Sequence, residues 1–194
     1  TINGGLDGNI VEQVKLGFTM NYTNSLINLG SRESLRGAYR ARPTGVIYFD
    51  EILNPSENND VEHDGYAVWM GINDKQVLNP IVEADRRNFQ LETLSSDFRG
   101  NAYIEVTPLE GLSLKSSLSA RKYDARDGMY RGTFTKDQRA SLPPRANSSN
   151  QILTNYTFDN IINYQKTFGK SSINATVAQS AFKERVEVMG LDVE

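Results

Sequence analysis

The stretch Thr154–Phe182, TNYTFDNIINYQKTFGKSSINATVAQSAF, alternates apolar and polar residues through Asn155–Thr167, breaks at Phe168-Gly169-Lys170, and alternates again through Ser171–Gln179. A period of two puts Tyr156, Phe158, Ile162 and Tyr164 on one face of an extended strand and Thr157, Asp159, Asn163 and Gln165 on the other. Past the break, Ile173, Ala175 and Val177 oppose Ser172, Asn174 and Thr176. The stretch therefore reads as a β-hairpin with one apolar side.

The same period recurs upstream. In VKLGFTMNYT, Leu16, Phe18, Met20 and Tyr22 share one face, while Lys15, Gly17, Thr19 and Asn21 share the other. In DFRGNAYIEVTPLEGLSLKSSLSA, Phe98, Ala102, Ile104 and Val106 alternate with Arg99, Asn101, Tyr103 and Glu105. Pro108-Leu109-Glu110-Gly111 then turns the chain, and Leu112, Leu114, Leu118 and Ala120 resume the apolar face. About six such strands are legible.

The connections are unequal. Turns near Asn9–Glu12, Pro108–Gly111 and Phe168–Lys170 are short, whereas those over about 24–88 and 123–151 are long and polar. Short and long ends that alternate along an antiparallel meander are the pattern of an outer-membrane β-barrel wall, apolar toward lipid and polar toward a lumen. A soluble β-sandwich gives the same alternation, with the apolar residues in a core. Period two reports only that the two faces differ. The polar face is built largely of small and amide-bearing residues, with Arg99, Glu105 and Asp159 among them, which suits a water-filled interior.

Composition excludes several classes. The 194 residues carry a formal net charge of −3, which disfavours nucleic acid as a partner. There is no Cys, so disulfide frameworks, thiolate zinc sites and cysteine nucleophiles are ruled out. No apolar run reaches the roughly 20 residues of a membrane helix. The chain opens with neither a Met nor a signal segment, as a mature or internal piece of a longer protein would.

Catalysis finds little support. His63 is the only histidine, and no Ser lies in a Gly-x-Ser-x-Gly elbow. GGLDG at Gly4–Gly8 lacks the Lys-Ser/Thr of a phosphate loop. The expectation is a non-enzyme without a cofactor. DVEHDG places Asp60, Glu62, Asp64 and Gly65 at the first, third, fifth and sixth places of a calcium loop, but the twelfth is Gly71 rather than Glu. An irregular calcium site in an external loop, with a solvated acidic loop as the plainer reading, is what those residues allow.

The long loops hold better binding candidates. YAVWM brings Tyr66 near Trp69, the only tryptophan, and exposed rings of this kind stack on sugars or anchor a protein; packing the loop is the plainer alternative. SRESLRGAYRARPTG reads as a short helix capped by Ser31, with Glu33 in its first turn and an end at Arg40–Pro43. Its Arg32, Arg36, Arg40 and Arg42 are placed to meet a lipopolysaccharide phosphate or an acidic partner, or to pair locally. The Asn-x-Ser/Thr triplets at Asn21, Asn147, Asn155 and Asn174 carry no glycan meaning in a bacterial barrel.

The segment TNYTFDNIINYQKTFGKSSINATVAQSAFKER, with its phrase Tyr164-x-Lys166-x-Phe168-Gly169, resembles the late-barrel hairpin of SusC-like TonB-dependent outer-membrane transporters. NLGSRESLRGAYRARPTG and FRGNAYIEVTPLEGLSLKSSLSA resemble, in order, a loop after an early strand and a hairpin of the same family, so the likeness runs along the whole chain. The resemblance implies an all-β, antiparallel meander forming part of a large transmembrane barrel of about 22 strands, with long extracellular loops and a short helix. It also implies location in the bacterial outer membrane and import of nutrient, an oligosaccharide or a peptide. Partners would be a SusD-like surface lipoprotein, lipid and lipopolysaccharide, and TonB through a plug region elsewhere in the protein. Leu16, Phe18, Met20, Ile104, Val106, Leu112, Leu114, Phe158, Ile162 and Ile173 would face lipid. The rival, a soluble or surface β-domain binding carbohydrate through loop aromatics, requires Leu16, Phe18, Leu112, Leu114, Phe158 and Ile162 to be buried together.

Overall fold

The computed structural model describes residues 1–41, 46–49, 62–71 and 74–194. Six long strands dominate: β1 (Ile2–Val11), β2 (Val14–Leu29), β7 (Phe89–Leu109), β8 (Leu112–Arg131), β9 (Arg145–Phe168) and β10 (Ser171–Val193). They form one sheet in the order β1-β2-β7-β8-β9-β10, so every neighbour is the next long strand along the chain. Between β2 and β7 lie helix α1 (Arg32–Arg40), the short strands β3 (Glu62–His63), β4 (Tyr66–Ala67), β5 (Trp69–Gly71) and β6 (Asp74–Leu78), and helix α2 (Pro80–Ala84).

The meander and its three tight turns are those the alternation predicts. Two connections are shorter than expected. β2 runs on to Leu29, β8 to Arg131, and β9 begins at Arg145, so much of 123–151 is strand rather than loop. Pro108 likewise lies inside β7 and not in the turn. The end of β8 toward Arg131 and the start of β9 at Arg145 are largely polar and lack the apolar alternation that marks the rest, yet both are strand.

Chain contacts divide the protein into two compact units. One comprises Thr1–Ser25, Leu94–Ala125 and Asn150–Val188; the other comprises Leu26–Thr93, Arg126–Ser149 and Met189–Glu194. The first is almost purely sheet. β1 and β2 pair antiparallel with Leu6 opposite Phe18 and Asp7 opposite Gly17, which sets their apolar residues on one face and their polar residues on the other. Gly17 is buried because the Tyr103 ring lies across it: an added Cβ would fall 2.1 Å from the ring. Only glycine leaves room for that ring in the strand.

The second unit holds nearly all the buried apolar side chains. Among the described residues these are Ala67, Val68, Trp69, Leu78, Val82 and Ala125, and only Ala125 belongs to the first unit. Val68, Trp69 and Leu78 form a small core, with Phe134 and Ala140 packed against it. Asn79 fixes α2 beside this core: its side chain accepts from the Ile81 amide at 3.0 Å and donates to the Ala67 carbonyl at 2.8 Å. Pro80 then occupies the first helical turn, where no amide hydrogen is needed.

Candidate functional site

The polar face of the first unit is tied together side chain to side chain. Asp7 accepts from the Tyr103 hydroxyl and pairs with Lys15 at 2.9 Å, and the Lys115 ammonium sits 4.3 Å from the centre of the Tyr103 ring. Asp97 bridges Arg99 at 2.7 Å and Arg121 at 2.9 Å. Farther along, Asn101 donates to Ser119, Thr176 to Asn163 and Ser180 to Asp159. A shallow concavity of about 680 Å³ opens on this face, where Thr19, Asn21, Arg99, Asn101, Arg121 and Asn155 converge. Amides, hydroxyls and two guanidinium groups make it a surface for polar, hydrogen-bonding ligands or protein segments.

The opposite face is apolar and uncovered. Seven of the ten side chains expected to face lipid, Leu16, Phe18, Ile104, Leu114, Phe158, Ile162 and Ile173, are between 37% and 51% exposed. Met20, Val106 and Leu112 are half-buried among their strand neighbours. None enters a core, so the shared burial that a soluble sandwich requires does not occur. One row interrupts this face. The Ser116 hydroxyl lies 2.6 Å from Asn160 Oδ1, and Asn160 Nδ2 donates to Gln179 Oε1 at 3.4 Å. Asn160 and Ser116 break the apolar alternation of their strands, and their bond to each other accounts for both polar residues on this face.

In the second unit the aromatic candidates separate. Trp69 is only 4% exposed and belongs to the small core, which corrects its expected role as an open stacking platform. A lone tryptophan in a loop with few apolar residues is the largest patch available to shield, and the loop folds around it. Tyr66 is half-buried and stacks on Tyr48 with ring centres 5.5 Å apart. Tyr48, which sequence reading did not single out, is the more open ring of the pair.

Glu83, in the same unit, is a buried carboxylate. The Ser31 hydroxyl donates to Oε1 at 2.6 Å and the Lys136 amide to Oε2 at 2.7 Å. Burial outweighs these two bonds and holds the Glu83 carboxyl above its ordinary value. The Lys136 ammonium reaches Glu33 at 2.9 Å and, with help from Arg36, holds that carboxyl low. One buried acid thus ties the cap of α1, the body of α2 and the segment around Lys136.

Asp60 of the expected calcium set lies outside the described residues, as does Arg42. Glu62 Oε1 accepts from the Gly65 amide at 2.8 Å, and Asp64 pairs with Arg87 at 2.5 Å, so both are already engaged. His63, Asp64 and Asp85 bring one ligand-type atom each within 4.8 Å of one another. The Arg87 guanidinium occupies both carboxylates, however, and hydrogen bonding from Arg87 pulls the Asp85 carboxyl down to about 2. A cation entering there would have to displace it. His63 Nε2 also meets Asn88 Nδ2 at 3.0 Å. This is a structural ion-pair knot.

Helix α1 is where expected. Ser31 caps it, accepting from the Glu33 amide at 3.2 Å, and the chain leaves it at Ala41. Arg36 and Arg40 are both exposed. The helix packs on α2 and β6 through its Glu33-Ser34-Gly37 side. A Cβ at Gly37 would lie 3.2 Å from the Leu78 carbonyl oxygen, so this residue sets how close the helix comes.

No protein-family model matches the sequence, and no curated protein does. Solved structures do. The chain is similar to the RagAB peptide transporter, with a TM-score of 0.63 at 14% identity over 96% of this chain and 20% of that one. Similar to it also are the RagAB peptide importer in its closed-closed state (TM-score 0.63, 15% identity, 96% and 20% covered) and in its open-open state (0.61, 15%, 98% and 20%). The chain spans about one fifth of the length of these structures, and what it shares with them is the fold.

Proposed function

We propose that this chain is wall and external loop of an outer-membrane, TonB-dependent nutrient importer. The observation that carries this reading is the uncovered apolar face of the long strands, backed by a polar face whose side chains bond to one another. In water such a face would be a large exposed patch; in a bilayer it is the surface the lipid requires. β1, at 10 residues, matches the roughly 9–11 needed to cross, and the other five long strands, at 16 to 24, exceed it and would leave their ends outside the hydrocarbon.

The fold shared with RagAB peptide importers supports import as the activity and brings peptides level with oligosaccharides as cargo. The resemblance of the sequence to SusC-like transporters makes a SusD-like surface lipoprotein the working partner in this reading. Coupling to TonB would belong to parts of the protein outside this chain. The amide- and arginine-lined polar face is a surface along which a peptide backbone or a sugar can exchange hydrogen bonds. In this reading the chain is part of a conduit and not a catalyst.

The test is labelling at Phe158 and at its neighbour Thr157 in the full-length protein from its native host, with lipid-soluble and water-soluble quenchers applied separately. Quenching of the Phe158 label by the lipid agent and of the Thr157 label by the aqueous one is expected. A label at Phe158 shielded from both would place that face in a soluble core and overturn the reading.

A further inference from the structure

The segment that joins β8 to β9 is firmly rooted at its start and strained at its tip. Gly132 donates its amide to the Asn88 carbonyl at 2.6 Å, and a Cβ there would lie 3.2 Å from Asn88 Cα. Thr135 is 1% exposed, and its hydroxyl donates to the Gly132 carbonyl at 2.8 Å. The Phe134 ring lies 4.3 Å from the His63 ring, centre to centre, and packs on the small core of Val68, Trp69 and Leu78. Lys136 is held twice, by its amide to Glu83 at 2.7 Å and by its ammonium to Glu33 at 2.9 Å, and Asp137 pairs with Arg131 at 3.2 Å. Residues 132–137 are thus tied to other parts of the second unit.

The tip, Gln138–Leu142, is held differently. Arg139 and Ala140 have φ angles of 54° and 52°, so two successive residues stand in the left-handed region, where Cβ crowds the following carbonyl oxygen. Neither is Gly, Asn or Asp, the residues that enter this region readily. The bonds of this turn run inside the segment: the Arg139 amide to the Thr135 carbonyl at 2.8 Å, the Ala140 amide to Thr133 at 3.0 Å and the Leu142 amide to Gln138 at 2.9 Å. Arg139, Ser141 and Leu142 are exposed, and Ala140 packs on the core. Strain of this kind persists only where the surroundings impose it. Here one methyl group against the core is what they supply.

We propose that Gln138–Leu142 is a gate over the small core: it uncoils from a root that stays in place, carries Ala140 off the core, and lets the chain's only tryptophan be reached from outside. Uncoiling returns Arg139 and Ala140 to ordinary φ values and exchanges a few amide bonds for bonds to water, so its cost is chiefly the Ala140 contact. Lifting the root would break the bond to buried Glu83, unseat buried Thr135 and strip Phe134 from the core, which is far more costly. The closed turn conceals Trp69, and the strain sets how often it is shown. None of this depends on what the long strands face.

The experiment is amide hydrogen exchange on the full-length protein purified from its native host, with two substitutions at one exposed position. Arg139→Gly relieves the strain there and is expected to slow exchange at the Arg139, Ala140 and Leu142 amides about tenfold. Arg139→Val, whose branched side chain suits a positive φ least, is expected to speed it about tenfold. Both remove the same charge, so only a backbone cause drives them apart. Exchange at the Gly132 and Lys136 amides stays at the wild-type rate in both, and the thiol of a V68C variant is labelled in the same order as the tip exchanges. Equal exchange at the tip in the two variants would show that strain does not govern opening, and the gate falls. It falls also if Gly132 and Lys136 shift along with the tip, because the segment then opens whole. A V68C thiol labelled at one rate in all three backgrounds, while the tip responds, would mean that the tip does not cover the core, and this too overturns the gate.

Discussion

Two regions of this molecule are made from the same apolar residue types and use them in opposite ways. Along β2, β8 and β9, residues such as Phe18, Leu114 and Phe158 are strung two apart on one face and left open. Around β5 and β6, Val68, Trp69 and Leu78 close into a small buried core. The difference lies in what surrounds each. Under the proposed reading, an external loop would be bathed in water and have to bury its own apolar side chains, whereas a barrel strand would meet a solvent as apolar as its side chains and have no reason to hide them.

The comparison can be broken most sharply at Trp69. Replacing it by Ala should cost the loop core about 3–5 kcal/mol, the range for emptying a large aromatic site, and the loss should appear as faster hydrogen exchange across residues 62–88 with the long strands unaffected. Equal loss of protection in the strands would mean that the two regions do not stand on separate footings.

A second substitution pair sharpens the other side of the contrast. Phe158→Lys near mid-strand should cost about 2–4 kcal/mol in urea unfolding of the protein in lipid, and Thr157→Lys on the adjoining polar face much less. Equal costs at the two positions would erase the distinction between faces. The smallest effect is electrostatic. Because burial raises the carboxyl of Glu83, its contribution to loop packing is complete below the ordinary carboxylate range near about 4.3 and is lost as pH rises through its folded value. Protection of the amides of residues 133–142 should therefore fall modestly toward neutral pH, and Glu83→Gln should flatten that dependence. A slope unchanged in the variant would assign the effect to another group.

The wall was readable because its signal is periodic. Tyr156, Phe158, Ile162 and the phrase ending at Gly169 state strand, face and turn without help from the rest of the chain. The loop was not, because its order comes from single contacts made far apart in sequence. Trp69 reads as a possible platform until Leu78, Phe134 and Ala140 are seen around it. Asn79-Pro80 is a legible helix start, yet α2 is five residues long and too short to show a period. Gly17 reads only as a gap in the polar face, since the ring that fills it, Tyr103, arrives from β7. The α1 helix was found from its cap and its arginines, but which side faces outward depends on Gly37 meeting Leu78, a contact no spacing announces.

The Glu83 bond network has a mechanical consequence. Ser31 and Lys136 lie 52 and 53 residues from Glu83 along the chain, and each is bonded to it directly. Three stretches that a flexible loop would let wander on their own are thereby pinned at one point, so their large displacements must be shared. A force on any one of them is felt by all three, and the loop responds as a single lever with one pivot instead of as three loose ends.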